Sequence, residues 1–304
     1  MSFPVNLYFG APALFPQRLW LVFFLILIMS LSGCNRLYFH PMKEEVLTPK
    51  TLGMDYDELF ITTPDNIEIH GWHLPASVEK KGSVIFFHGN AQNISTHIAS
   101  IYWLPQKGYS VYLFDYRGYG KSQGQPTIEG LIIDASSAIN YVINHKNEKN
   151  IVIFGQSLGG AITINAAAQL EDKSTIKAVI VDSSFAGFRK IAREKLASFW
   201  LTWPLQYPLS LAFSSSHNPL HSVNQISPIP LLVMHGNADN IIPLQHGKDI
   251  FSAAENPKVL WEMNNGKHID SMTKKSNRRH FLNFLEAAIN NRIENKSVTQ
   301  VLGD

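Results

Sequence analysis

The sequence has one cysteine, Cys34, which rules out an internal disulfide and a cysteine-rich zinc site. Charge is sparse: 16 % of residues are charged against 45 % hydrophobic, which excludes disorder and coiled coil. Neither sign dominates. Twenty-six Lys and Arg against 24 Asp and Glu leave a formal +2, so the chain as a whole shows no electrostatic footprint for nucleic acid or an acidic lipid surface. A long apolar run is missing as well. Leu19–Leu31 spans 13 residues, short of the roughly 20 that a membrane-crossing helix needs. There is no internal repeat and no low-complexity tract. What is present is 304 residues, enough for one large α/β domain or two small ones with a substantial core.

Residues 1–33 stand apart from the rest, with Arg18 as their single charged side chain. A lone cation followed by a short apolar run has the layout of a signal peptide. The run ends in Leu31-Ser32-Gly33-Cys34, which resembles a bacterial lipobox. The resemblance implies acylation of Cys34, cleavage just before it, and a membrane-anchored lipoprotein of the cell envelope. Asn35 after the cysteine favours the outer membrane or periplasmic face by the same likeness. The alternative is an uncleaved signal anchor with Cys34 an idle thiol. Residues 34–54 then read as a tether.

Beyond it, strand and helix signals alternate. Leu59–Thr62 and Ile67–Leu74 read as a hairpin pair turned by Pro64-Asp65-Asn66. Val84–Phe87, Val111–Asp115, Ile151–Phe154, Ala178–Asp182, Leu231–Met234 and Val259–Met263 are short and continuously apolar, as strands covered on both faces are. Helical spacing marks Ile94–Gln106, Ile128–Asn144, Leu158–Leu170, Leu244–Ala254 and Asn277–Asn290. The expectation is an α/β fold: a mostly parallel, doubly wound sheet of about eight strands over residues 55–290, with a frayed polar tail at 291–304. Residues 185–225 break the rhythm with seven aromatics and several prolines. They read as a small helical cap, the alternative being an ordinary helix pair whose aromatics are core.

The chemistry gathers in three places. Gly155-Gln156-Ser157-Leu158-Gly159-Gly160 lies between a buried strand and a small-residue helix. That context suits a serine on a tight, strained turn, with glycines where side chains would strike the neighbouring strand and helix. The helix starting at Leu158 aims amide N–H groups at developing negative charge. Asp239 follows the strand at 231–234, and His268 follows the one at 259–263. The order Ser, Asp, His matches a nucleophile, an orienting acid and a general base. Asp182 is the rival acid, otherwise a turn-capping carboxylate. Other patterns carry less. Gly120-Lys121-Ser122 would close a phosphate loop only if position 115 were glycine, and it is Asp115. His70 and His73 fall on opposite strand faces, and Pro219 separates His217 from His221. Both pairs read as surface or edge histidines. No metal or cofactor is expected.

The segments FFHGNAQN (86–93), FDYRGYGKSQG (114–124), GQSLGG (155–160), MHGNADNIIP (234–243) and GKHID (266–270) resemble, in order, the α/β-hydrolases of the serine-aminopeptidase-like and Bem46-like group. The resemblance spans roughly residues 55–290. It implies an α/β-hydrolase fold and catalysis by Ser157, Asp239 and His268. The implied oxyanion hole uses the N–H groups of Leu158 and Asn90, with Ala91 the fallback for the second. His88, Asp115 and Arg117 are implied to be structural. Lys267 stands where relatives usually have a second glycine. The expected function is a membrane-tethered serine hydrolase of ester, thioester or amide bonds in a small-molecule, lipid or acyl substrate. The alternatives are an aminopeptidase-like enzyme and a non-catalytic binding lipoprotein of the same fold.

Overall fold

The structure, a computed structural model, describes residues 38–303 except 212 and 214. The signal segment and Cys34 lie outside the described residues. Nine strands form one sheet: β1 (Asp57–Thr62), β2 (Glu68–Leu74), β3 (Gly82–Phe87), β4 (Tyr109–Phe114), β5 (Ile151–Gln156), β6 (Ile176–Asp182), β7 (Leu231–Gly236), β8 (Lys258–Met263) and β9 (Ser297–Leu302). Their spatial order is β9-β8-β7-β6-β5-β3-β4-β2-β1. The pairs β1–β2 and β2–β4 are antiparallel and the remaining pairs parallel. This is the α/β-hydrolase sheet that the motifs imply.

Burial explains the strand pattern. Every residue of β3, β4, β5 and β7 is buried, because helices cover both faces there. Alternate residues face opposite ways. Val84, Phe86, Val152, Phe154, Ile180 and Leu232 join one core with Ile94, Ile98, Phe281 and Leu285. Ile85, Ile153 and Val179 are as deeply buried. Edge strand β1 instead alternates, with Leu59 and Ile61 inward and Glu58 and Phe60 outward.

The helices are α1 (Ile94–His97), α2 (Ile128–Asn144), α3 (Leu158–Ala168), α4 (Phe188–Ala197), α5 (Gln206–Ser210), α6 (Pro219–Ser222), α7 (Leu244–Ala253) and α8 (Lys275–Ile289). Helix α2 has the bounds its periodicity predicts. The Thr127 hydroxyl caps it by accepting from the Gly130 N–H at 2.9 Å, and Ile132, Ala135, Ile139 and Val142 form its buried face. Among the described residues, no helix is long and apolar enough to cross a membrane.

Four expectations need correction. The predicted helix Ile94–Gln106 is only the four-residue α1, followed by separate 3-10 turns at Ile98–Ser100 and Pro105–Lys107. Pro105, which lacks a donor N–H, stops any regular continuation there. The supposedly frayed tail holds β9, paired in parallel with β8 from Ser297 to Leu302. Its β-branched Val298, Thr299 and Val301 favour a strand despite their polar company. The supposed tether is partly built into the body. Phe39 is buried, His40–Pro41 pairs with Ala91–Gln92, and the Asn93 side-chain amide donates to the carbonyls of Met42 and Glu44. Finally, His70 is fully buried rather than at the surface.

Arg117 ties the loop after β4 to the helical layer. Its guanidinium bonds the buried Asp134 carboxylate of α2, at 2.8 Å for the shortest contact, and that of Asp65 at 2.7 Å. Removing only the cation strands a buried negative charge. Arg117→Ala is expected to lose about 3–5 kcal/mol of unfolding free energy. The double change Arg117→Met with Asp134→Leu is expected to recover most of it, both read by urea denaturation.

Candidate active site

The order of strands reverses where β3 lies between β5 and β4. Connections from the carboxyl ends of β3 and β5 run in opposite directions there, and open α/β sheets place their sites at such a switch point. Ser157 sits directly after β5. Its φ of 54° and ψ of −118° fall where residues with a side chain rarely go, so its backbone is strained. The surroundings hold it. The Ser157 N–H donates to the Asp182 carbonyl at 2.9 Å, and the Ser184 hydroxyl donates to the Ser157 carbonyl at 2.9 Å. Sterics require both flanking glycines. A Cβ on Gly155 would lie 2.3 Å from the Gly159 carbonyl oxygen, and one on Gly159 would lie 2.2 Å from that of Phe87.

Asp239 lies in the turn after β7. One carboxylate oxygen accepts from the N–H groups of Ile241 and Ile242, both at 2.9 Å. The other lies 2.8 Å from His268 Nδ1. Burial works against ionising Asp239, but the His268 bond and the two amides outweigh it and hold the carboxyl below its ordinary range. A carboxylate partner fixes the proton of His268 on Nδ1 and leaves Nε2 to accept. That Nε2 is 3.1 Å from the Ser157 hydroxyl oxygen. Three residues far apart in the chain thus form one hydrogen-bonded row. Asp182 does not enter it. Its buried carboxyl accepts from Gln156, Ser271 and Ser183, and burial raises its pKa.

The loop 88–91 passes against the serine: a Cβ on Gly89 would lie 3.5 Å from Ser157 Cβ. The Tyr119 hydroxyl fastens this loop by donating to the Asn90 carbonyl at 2.8 Å. Leu158 opens α3, and as the first residue of the helix its N–H has no carbonyl within the helix to bond. His88 is fully buried, with Nδ1 2.7 Å from the Gly89 carbonyl and Nε2 3.3 Å from Asp115. Asp115 also accepts from the Ile94 N–H, so His88 and Asp115 brace this corner of the site. Lys267 is exposed beside the His268 loop.

Several supporting residues escaped the reading of motifs. His235, directly after the apolar core of β7, places Nε2 2.8 Å from the Ile242 carbonyl and so braces the Asp239 turn. Ser183 accepts from the Ile269 N–H at 3.1 Å, and Ser271 donates to Asp182 at 2.6 Å, so both hold the His268 loop. His97 backs the loop 88–91, with Nε2 3.1 Å from the Ala91 carbonyl. Among the described residues one group, Glu45, Glu58 and His70, gathers potential metal-donor atoms within 4.8 Å of one another. Lys121 Nζ already stands there, 2.5 Å from Glu58 and 3.2 Å from Glu45, and supplies the positive charge.

Known proteins share this sequence and fold. Residues 78–222 match the family model described as serine aminopeptidase, S33. YfhR of Escherichia coli O157:H7 is 37 % identical over 239 residues, covering 75 % of this chain and 80 % of that protein. The chain belongs to the α/β-hydrolase family. This α/β-hydrolase is also 28 % identical over 243 residues to the lysophosphatidylserine lipase ABHD12 of Danio rerio, covering 70 % of this chain and 62 % of that one. In fold it is similar to the Pyrococcus furiosus esterase Pf2001. The TM-score is 0.67 at 22 % identity, covering 84 % of this chain and 99 % of the esterase chain.

His97 makes the site's acid sensitivity calculable. Burial, followed by the neighbouring His88, pushes its pKa down from the ordinary 6.5 to about 4. The folded protein keeps His97 neutral while the unfolded chain takes up a proton. Its contribution is therefore complete above pH 6.5 and is lost as pH falls toward 4. The span corresponds to about 3 kcal/mol. Urea unfolding between pH 7 and pH 4 is expected to show this decline, and His97→Gln to make it shallower by that amount.

Proposed function

We propose that the chain is a membrane-tethered serine hydrolase that cleaves carboxylic ester or thioester bonds through an acyl-serine intermediate. The observation that carries the reading is the unbroken row from Asp239 through His268 to Ser157, with bonds of 2.8 and 3.1 Å. A serine hydroxyl is a poor nucleophile at neutral pH. His268 Nε2 removes its proton as Oγ attacks the substrate carbonyl carbon. Asp239 keeps the imidazole in the accepting tautomer and stabilises the imidazolium. The carbonyl π electrons move onto oxygen, which the N–H groups of Leu158 and Asn90 receive, Ala91 being the alternative second donor. Imidazolium then protonates the departing alcohol or thiol as its bond to the acyl carbon breaks. Water, activated by the same imidazole, releases the acid and restores Ser157.

Amide substrates use the same steps, so an aminopeptidase-like reaction is the alternative. It calls for an acidic side chain to hold the substrate ammonium. Glu194, the sole acid in the cap, is already engaged: His246 Nδ1 accepts from the Ala186 N–H, so its Nε2 carries the proton and donates to Glu194 at 2.7 Å. This favours the ester. The lipobox-like Leu31–Cys34 supports the tether, and the likeness to a lysophospholipid lipase supports an acyl-lipid substrate.

Fluorophosphonate is expected to label the protein, and Ser157→Ala to abolish labelling with the circular dichroism unchanged. Persistent labelling of that variant would refute the nucleophile. Removing Asp239 by Asp239→Asn is expected to lower kcat on p-nitrophenyl esters by about 10⁴, as loss of the correct tautomer does. Absence of both labelling and turnover across short and long esters would favour a binding protein instead. For the tether, the intact mass of envelope-purified protein is expected to show a chain starting at Cys34 and carrying acyl groups. An unmodified chain retaining residues 1–33 would show a signal anchor.

A further inference from the structure

The aromatics of residues 185–225 divide by position. Phe185 and Phe188, at the start of the insertion, are 3 % and 0 % exposed. Farther along, Trp200 is 78 % exposed, Tyr207 and Leu211 are each 65 %, Leu201 is 60 % and Trp203 is 59 %. These five side chains fall within one short stretch of chain, 200–211. Solitary exposed apolar residues are commonplace, whereas a concentration of them marks an interaction surface. Trp and Tyr are the side chains that settle at a membrane–water boundary, where the ring is half apolar and half wet.

Charge complements this surface. Helix α4 carries Arg189, Lys190, Arg193 and Lys195 against the single acid Glu194. Lys190 pairs with Asp249 and Glu194 with His246, so these two are engaged within the fold. The Arg193 guanidinium lies 5.4 Å from the Tyr207 ring centroid, beside the aromatic stretch. The near-neutral total charge thus conceals a local cationic excess suited to anionic headgroups.

Chain length gives a third, independent indication. His40–Pro41 pairs with Ala91–Gln92 just past the carboxyl end of β3, the sheet edge that bears Ser157. Cys34 lies five residues before the buried Phe39, a span of roughly 18 Å at full extension. If Cys34 carries a lipid, Phe39 stands only five residues on from it and adjoins the strand pair past the carboxyl end of β3.

We propose that residues 199–211, with the cations of α4, seat in the headgroup layer of an anionic phospholipid bilayer and so present the serine site to substrates leaving the membrane. The proposal deepens the tethered-hydrolase reading and rests on it for the anchor. The test uses the full chain reconstituted into phosphatidylcholine vesicles with and without phosphatidylglycerol, made from plain or acyl-brominated lipid. Bromine quenches indole fluorescence only at close range. Subtracting the signal of the double variant Trp200→Phe, Trp203→Phe isolates the two cap indoles from Trp20 and the buried tryptophans. That difference signal is expected to fall by at least half in brominated vesicles containing phosphatidylglycerol, and Arg193→Glu with Lys195→Glu to restore it. Turnover of a soluble short ester is expected to stay within twofold in both variants, which shows that they fold. An equal difference signal in plain and brominated vesicles would overturn the proposal, whether the indoles are then covered by a second copy or by residues 1–37. Equal quenching in neutral and anionic vesicles would overturn the requirement for anionic lipid. Fluorophosphonate labelling and the mass of Cys34 are read separately, so failure of docking is distinguishable from failure of the hydrolase or the tether.

Discussion

A serine backbone held at φ 54° is the constraint from which the rest of the site follows. The conformation is costly for a residue with a side chain, and cost of that kind persists only where neighbours over-determine it. Here two glycines vacate the space, the end of β6 accepts the serine amide, and Ser184 pins its carbonyl. The reward is position: the hydroxyl stands past the carboxyl end of β5, beside the loop that follows β3 and 3.1 Å from an imidazole that arrives from β8. Had the turn relaxed into ordinary helix, Ser157 would sit inside the first turn of α3, and the hydroxyl would lose its place opposite His268.

Around this point lies a shell of buried polar side chains whose common task is to keep loops from drifting. His88 and Asp115 secure one corner, His235 and the paired amides of Ile241 and Ile242 another, Ser183 and Ser271 a third. Each satisfies a group that would otherwise be costly to bury. The proposed nucleophile, base and acid are therefore set by the fold before any substrate arrives, which is what transition-state stabilisation by fixed dipoles demands.

Much of this was legible in the chain. Continuous apolar runs located the buried strands, since a strand covered on both faces has no polar side to show. The periodic Ile132, Ala135, Ile139 and Val142 located α2 to the residue. The Gly155–Gly160 turn, Asp239 and His268 each follow the apolar run of a strand, where it gives way to a turn that the sequence itself shows. Failures came where local sequence underdetermines environment. Residues 297–302 look polar, and only the partner β8 makes them a strand. Ile94–Gln106 has helical spacing, but a spacing does not reveal that Pro105 and the loop bonds fragment it. His70, His97 and His235 look alike in a string of letters, and burial alone separates them from surface histidines. In residues 185–225, prolines at 204 and 208 break the periodicity that would have told inward from outward aromatics.

Asp182 has a further consequence. Its carbonyl receives the Ser157 amide while its carboxyl receives the Ser271 hydroxyl, so one residue grips the serine turn and the histidine loop together. Thermal drift of either loop is transmitted to the other through a few buried bonds anchored at the end of a central strand. The gap between the Ser157 hydroxyl and the His268 imidazole is in this way set by the end of the central sheet and not by either loop alone.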